Sequence, residues 1–224
     1  MAKTLPFQQH LTQSLLKDYT TFYSRGLVID MKLTIGFDLD GVVVDSPQQV
    51  VNYVNERLGL NLCMNDFKTY SMEDALPDQY KWIIDTAFKD SVMWKKVGLI
   101  DGSYEVIKKL WNEGCDIYFV TSSLPQNLKK KIGHLARNLD FFPKDYVWRH
   151  TINTQCKQLI KLDVLVDDAL FNLIGDKEYV SICMDMPYNQ TDKPIPMFTR
   201  AYNWQDIYDN IKMIETLLKE NENE

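Results

Sequence analysis

The chain has 224 residues, enough to bury a full α/β core with room for one main domain and a smaller inserted one. A formal net charge of −6 and a pI near 5.1 argue against a nucleic-acid polymer as partner, which would need a basic face to neutralise its phosphates. Cys63, Cys115, Cys156 and Cys183 form no Cys-x-x-Cys pair, so neither a zinc knuckle nor a disulfide framework is indicated, and reduced thiols in a cytoplasmic protein are the simpler expectation. No apolar run has the length of a membrane span or the pattern of a signal-peptide core.

Residues 1–30 read as one amphipathic helix. Thr4 can cap it, Pro6 suits its first turn, Leu11, Leu15, Tyr19, Phe22 and Tyr23 recur at helical spacing, and Arg25-Gly26 ends it. It is expected to pack on the domain or on a second copy in a homodimer. A Thr-rich organellar leader is the alternative, with Met31 as an internal start.

The organising stretch is Leu33 to Asp45. Apolar and β-branched residues lead up to Asp38 and Asp40, and Gly41 follows, the pattern of a buried strand delivering two carboxylates to its carboxyl end. Ligands of open α/β sheets bind at that edge, and two such carboxylates can hold a hard cation while one attacks an electrophile or moves a proton. Beyond it, Val50, Val51, Val54 and Leu58 trace a helix up to Gly59, residues 61–76 are mixed, and a helix is expected from about Pro77 to Lys89. Residues 46–95 therefore read as a small helical insert, with a main domain of residues 31–45 and 96–224. Phe67, Tyr70, Trp82, Phe88 and Trp94 in and around it read as core, with one or two able to stack on a ligand.

From Asp101 strands and helices alternate. Tyr104 to Trp111 is helical, Asp116 to Thr121 a buried strand, Gln126 to Asn138 a basic helix, and Tyr146 to Trp148 a short strand. Asp163 to Val166 is the next strand, followed by a helix from about Ala169 and a strand from Tyr179 to Cys183. Met197 to Ala201 reads as an edge strand, and Trp204 to Leu218 as the closing helix. The alternation implies a Rossmann-like parallel sheet covered on both faces. Lys129, Lys130 and Lys131 read as a solvated face, and His10, His134 and His150 as isolated residues on surfaces or helix flanks.

Three strand ends stop in polar residues that would converge on one sheet edge: Asp38 and Asp40, then Thr121, Ser122 and Ser123, then Asp167 and Asp168, with Lys157 able to fold back over them. Carboxylates suit Mg²⁺, while hydroxyls, backbone N–H groups and one ammonium suit a phosphate. Taken singly, each has a plainer reading as a turn, a helix cap or a surface lysine. Their order along the chain favours one site.

Asp38-Leu-Asp40-Gly-Val, Phe-Val-Thr-Ser122, Lys157 and Leu-Val-Asp167-Asp168 resemble, in order, the four motifs of the haloacid dehalogenase superfamily. Within it the chain is similar to the 5'(3')-deoxyribonucleotidase family, through Asp-Gly-Val-Val-Val-Asp45, Met93-Trp94 to Gly102, Thr-Ser-Ser-Leu-Pro125 and Asn203-Trp204. The resemblance implies a Mg²⁺-dependent phosphomonoesterase with a haloacid dehalogenase-like core, a helical cap after the first strand, and an aspartyl-phosphate intermediate. It implies Asp38 as nucleophile and Asp40 as acid/base. Ser122, with groups near Thr121 and Ser123, and Lys157 would hold the phosphate. The metal would take Asp38, the carbonyl of Asp40 and Asp168, with Asp167 orienting water or serving as the alternative ligand. The expected substrate is a nucleoside monophosphate, deoxyribonucleotides first. A sugar phosphate or other small phosphorylated metabolite is the alternative, and a non-catalytic binding protein on the same fold the rival from another class.

Overall fold

A computed structural model describes residues 32–191 and 197–221; the helix expected over residues 1–30 lies outside the described residues. Six strands, β1 (Thr34–Phe37), β2 (Asp116–Thr121), β3 (Thr151–Asn153), β4 (Val164–Asp167), β5 (Val180–Met184) and β6 (Thr199–Ala201), form one sheet in the order β3-β2-β1-β4-β5-β6. Every pairing is parallel. The chain lays strands to one side of β1 and then to the other, so the order reverses between β1 and β4, where a crevice opens at the carboxyl ends.

The strands hold this arrangement because alternate residues are apolar on both faces. Ile35, Phe37, Ile117, Phe119, Val164, Val166 and Ile182 belong to the large cluster. Val120, Leu165 and Cys183 belong to a smaller one with Leu162, Leu173 and Tyr179. Gly36 permits that second layer: a Cβ there would come within 2.6 Å of Leu162 Cδ1.

Eight helices are described: α1 (Ser46–Leu58), α2 (Trp82–Lys89), α3 (Ser91–Lys96), α4 (Ser103–Asn112), α5 (Pro125–Asn138), α6 (Tyr146–Arg149), α7 (Leu170–Leu173) and α8 (Trp204–Asn221). None is long and apolar enough to cross a membrane. Between β1 and β2 the chain runs through α1, three 3₁₀ turns (Met64–Asp66, Met72–Ala75 and Asp78–Tyr80), α2 and α3 before returning at α4. The helix expected from Pro77 is thus a 3₁₀ turn and then α2. Asp90 stops α2 and caps α3, its carboxylate accepting from the Val92 N–H at 2.7 Å.

The outgoing and returning segments run side by side. Asp45 N–H donates to Gly98 O at 2.9 Å, Ile100 N–H donates to Val43 O at 2.9 Å, and Val44 pairs with Leu99 antiparallel. The buried Trp204 indole donates to Val42 O at 3.0 Å, fastening α8 to the same seam.

One expected strand is a helix. Tyr146 to Trp148 lie in α6, and β3 follows at Thr151–Asn153. Aromatic and β-branched residues favour strands in isolation, but the rings of Phe142, Tyr146 and His150 stack in succession at 4.4 Å and 3.7 Å, which the turn of α6 allows. The Tyr146 hydroxyl also donates to Ile117 O at 3.1 Å, anchoring the turn to β2.

Candidate active site

The Asp38 N–H extends the β1–β4 ladder by one bond, donating to Val166 O at 2.9 Å, so the first carboxylate leaves the sheet beside the end of β4. The next residues wind into one tight loop in which the N–H groups of Val42, Val43 and Val44 all point at Leu39 O. Gly41 supplies its positive φ of 78°, and a Cβ there would lie 2.6 Å from Asp168 Oδ2. This packing turns Asp40 away from the floor and toward α5.

The floor is an ionic triad. Lys157, 2% exposed, donates to Asp38 Oδ1 and, at 2.7 Å, to Asp167 Oδ2. Asp167 also accepts from Ala169 N–H at 2.8 Å and from the Asn172 amide at 3.1 Å, so its oxygens are well used. Asp168 accepts from the Tyr188 hydroxyl, and its backbone carbonyl accepts from Asn189 Nδ2 at 2.8 Å. One carboxylate oxygen from each of Asp38, Asp167 and Asp168 lies within 4.8 Å of the others.

Burial pushes the Asp38 carboxyl up to about 7; Lys157 opposes the shift, and Asp167 and Asp40 add to it. Burial, reinforced by Asp38 and Asp167, likewise raises Asp168 well above the carboxylate range. Burial works against the charge of Lys157, but Asp38 and Asp167 outweigh it and its pKa is raised. The edge thus carries three crowded carboxylates and one buried ammonium.

Above the floor lies a cavity of about 270 Å³ between the core and the segment that joins β1 to α4. Asp40, Lys131, Asp168 and Tyr188 line its polar side, with Ser122 and Ser123 at the end of β2. Met72, Ile84, Phe88 and Leu124 line its apolar side. Asp40 accepts from the Ser46 hydroxyl at 2.5 Å through one oxygen and pairs with the Lys131 ammonium through the other.

The residues expected after β2 take up distinct posts. Thr121 is buried, with its hydroxyl 3.1 Å from that of Ser123. The Ser122 hydroxyl donates to Thr154 O at 2.6 Å. Asn153 braces the loop from both sides, accepting from Ser123 N–H at 2.8 Å and donating to Ser123 O at 3.0 Å. Asp38, Lys157, Asp167 and Thr121 sit beneath the cavity lining, while Asp40, Ser122, Ser123 and Asp168 reach it.

Two expectations are corrected. Lys131 is not part of a solvated face: it is 6% exposed and salt-bridged to Asp40, because α5 turns Asn127, Lys131 and Leu135 inward at successive i, i+4 steps. His134 is buried rather than on a surface, its ring within 3.2 Å of the Asn138 amide, and burial lowers its pKa. Of the aromatic residues read as core, Phe67 and Trp94 are buried, whereas Tyr70 is exposed at the cavity, edge-on to Phe171 and Tyr188. Sequence reasoning missed Ser46, Asn127, Tyr188 and Asn153. For Lys131 and Asn127 the phase of α5 was an available signal; for Tyr188 and Asn153, on a loop and a strand end, no periodicity marks them.

A family model described as "5' nucleotidase, deoxy (Pyrimidine), cytosolic type C protein" matches residues 32–217. A Staphylococcus epidermidis protein named "Putative 5'(3')-deoxyribonucleotidase" is 27% identical over 183 residues, 81% of this chain and 97% of its own. A Staphylococcus aureus protein of the same name is 26% identical over 137 residues, 60% of this chain and 73% of its own. Among solved structures, a haloacid dehalogenase family hydrolase from Deinococcus radiodurans with bound phosphate and sodium superposes with a TM-score of 0.56 at 13% identity, covering 82% of this chain and 96% of that one. A haloacid dehalogenase-like protein from Streptococcus pneumoniae gives 0.53 at 15% identity, covering 80% and 98%. These superpositions establish the haloacid dehalogenase-like fold.

Proposed function

Because the chain belongs to the 5' nucleotidase, deoxy (Pyrimidine), cytosolic type C family, we propose that it hydrolyses nucleoside monophosphates, deoxyribonucleotides first, through an aspartyl-phosphate on Asp38. The observation that carries this reading is the placement of the two carboxylates. Asp38 is fixed on the floor by Lys157, and Asp40 stands on the wall of the cavity above it.

In the first step an Asp38 oxygen attacks phosphorus, the ester P–O bond breaks, and the leaving alkoxide takes a proton from Asp40 to depart as an alcohol. In the second, water attacks the same phosphorus and gives its proton to Asp40. The P–O bond to Asp38 then breaks, restoring the carboxylate and releasing phosphate. Lys157 lies where negative charge builds on Asp38 and on the phosphoryl oxygens. The N–H groups and hydroxyls of Thr121, Ser122 and Ser123 lie at the end of the strand beside β1, within the same edge.

Three convergent carboxylates form a hard-oxygen donor set, so the residues present fit Mg²⁺. Asp38 and Asp168 would hold it, with the Asp40 carbonyl. Asp167, already bonded to Lys157, Ala169 and Asn172, would orient its waters. The cation would supply charge neutralisation between the Asp38 carboxylate and the incoming phosphate. The joining segment, Ser46 to Lys95, acts in this reading as a cap that shields the site from bulk water.

The test is phosphate release from a panel of nucleoside and sugar monophosphates with added Mg²⁺, with Asp38→Asn as control. Wild type should favour nucleotides, and Asp38→Asn should lose activity on the order of 1000-fold. A wild type indifferent to the base would point to a general metabolite phosphatase, and equal inactivity of both proteins would remove the enzyme reading.

A further inference from the structure

We propose that Tyr188 is a positioning residue for the metal site: its hydroxyl holds the Asp168 carboxylate in place for a divalent cation while leaving that carboxylate's charge to the cation. The inference rests on the Mg²⁺ reading above and extends it to a residue outside the ligand set.

The four carboxylates at the sheet edge do not have the same kind of partner. Asp38 and Asp167 are salt-bridged to Lys157, and Asp40 to Lys131. Asp168 differs: among the described residues it forms no salt bridge, and its side chain is held by the neutral Tyr188 hydroxyl, which donates to Oδ2. Its other oxygen accepts from no protein donor among the described residues. Asp168 is 3% exposed, and buried carboxylates are paired with a countercharge or coordinate a metal. A lysine at this post would neutralise the charge that a cation needs. A hydroxyl satisfies one oxygen and leaves that charge in place.

The segment that carries Tyr188 is built to hold it there. Tyr188 lies on the connection from β5 to β6, next to Asn189, which is 1% exposed and whose amide donates to Asp168 O at 2.8 Å and to Met184 O at 2.7 Å. Arg200 of β6 fixes Asn189 in turn, donating to its Oδ1 at 2.7 Å and its backbone carbonyl at 2.9 Å, and pairs with Asp185 at 2.7 Å. The connection thus grips Asp168 twice, by the main chain through Asn189 and by the side chain through Tyr188. Gly41 makes room for both groups: a Cβ there would lie 2.9 Å from the Tyr188 hydroxyl as well as 2.6 Å from Asp168 Oδ2. The Tyr188 ring meets Tyr70 edge-on at 6.0 Å. Donors that orient a metal ligand in this way typically change metal affinity by roughly 10- to 100-fold when removed.

The test is Mn²⁺ binding to the metal-stripped full chain, followed by electron paramagnetic resonance with no substrate present; Mn²⁺ takes the same oxygen ligands as Mg²⁺. Tyr188→Phe keeps the ring beside Tyr70 and removes the hydroxyl, and it should raise the Kd for Mn²⁺ roughly tenfold or more. Tyr146→Phe is the comparison. It removes another tyrosine hydroxyl, bonded to Ile117 O at 3.1 Å near the start of β2, and should lower the melting temperature while leaving the Kd for Mn²⁺ within about twofold. A tyrosine that served only to stabilise the fold would behave like Tyr146, with a lower melting temperature and the same Kd.

An unchanged Kd in folded Tyr188→Phe, or equal losses of affinity in both variants, overturns the assignment to Tyr188 even where wild type is an active phosphatase. A wild type that binds no Mn²⁺ overturns the metal reading and this assignment together. If wild type binds Mn²⁺ but hydrolyses no monophosphate, the nucleotidase reading fails alone, and the same pair of Kd values still decides for or against Tyr188.

Discussion

Asp40 is held from two sides by groups of different character, and the difference has consequences. The Ser46 hydroxyl is a neutral donor from the first turn of α1, whereas Lys131 brings a full positive charge from a helix 91 residues downstream. Replacing Lys131 with Met leaves Asp40 facing the cavity without its countercharge. Because the Asp40 side chain keeps 25% exposure, the penalty falls below that of a fully buried orphan, at about 1–3 kcal/mol. Urea unfolding of Lys131→Met should show that loss, and, with Asp40 in the acid/base role proposed above, kcat on the preferred substrate should drop on the order of 10- to 100-fold. A variant indistinguishable from wild type in both would show that the pair does nothing in solution.

At the scale of elements, the loop between β1 and α1 is tightly specified. Gly41 combines a positive φ with an approach to Asp168 that admits no side chain. Gly41→Ala should destabilise the protein by about 1–2 kcal/mol for the backbone alone. It should also cost more activity than stability, since the new Cβ displaces Asp168; parallel melting and kinetic measurements would separate the two. This loop was legible in the sequence because a buried apolar run ending in Asp-x-Asp-Gly has few other ways to fold. Most of the sheet was legible for the same reason, its strands being short apolar runs between turn signals, but β3 was expected at Tyr146 to Trp148 and lies at Thr151–Asn153. The helix α6 was not, because the composition of Tyr146, Val147 and Trp148 favours a strand and only the ring stack of Phe142, Tyr146 and His150 tells against it. The floor residues could be placed from strand ends. Of the wall, Asp40, Ser122 and Ser123 could be placed in the same way and the phase of α5 marks Asn127 and Lys131, whereas Tyr188 is brought in by a loop contact that leaves no local mark.

For the whole molecule, crowding of carboxylates at one sheet edge sets how stability responds to pH. Asp38, with a folded-state pKa near 7 against an ordinary 3.8, keeps its proton in the folded chain over a range where the unfolded chain has lost it, and Asp168 shifts in the same direction. The folded state then binds more protons than the unfolded one, so stability falls as pH rises from about 4 through about 7. Metal-free protein should therefore melt at a higher temperature at pH 5 than at pH 7.5. Added Mg²⁺, by neutralising the same carboxylates, should raise the melting temperature more at pH 7.5 than at pH 5. Asp38→Asn should flatten both trends, and a metal-free protein whose melting temperature climbs over this interval would contradict the described charge arrangement.

The seam at which the chain leaves the core after Val43 and comes back to it at Ile100 carries a separate implication. Departure and return are bonded to each other, through Asp45 to Gly98 and Val43 to Ile100, so the excursion closes on itself at one edge of the core, while α2 and α3 also rest on α5 and Tyr70 on Phe171 and Tyr188. To the sheet, that excursion has almost no length. Residues can be added there, removed or exchanged for another fold without shifting the register of any strand, provided the apolar underside of α1, at Val50, Val51 and Val54, still meets the core. A recombinant that keeps this core and takes its excursion from a relative should therefore keep Asp38, Asp167 and Lys157 in place while changing the part of the cavity wall that Met72, Ile84 and Phe88 supply.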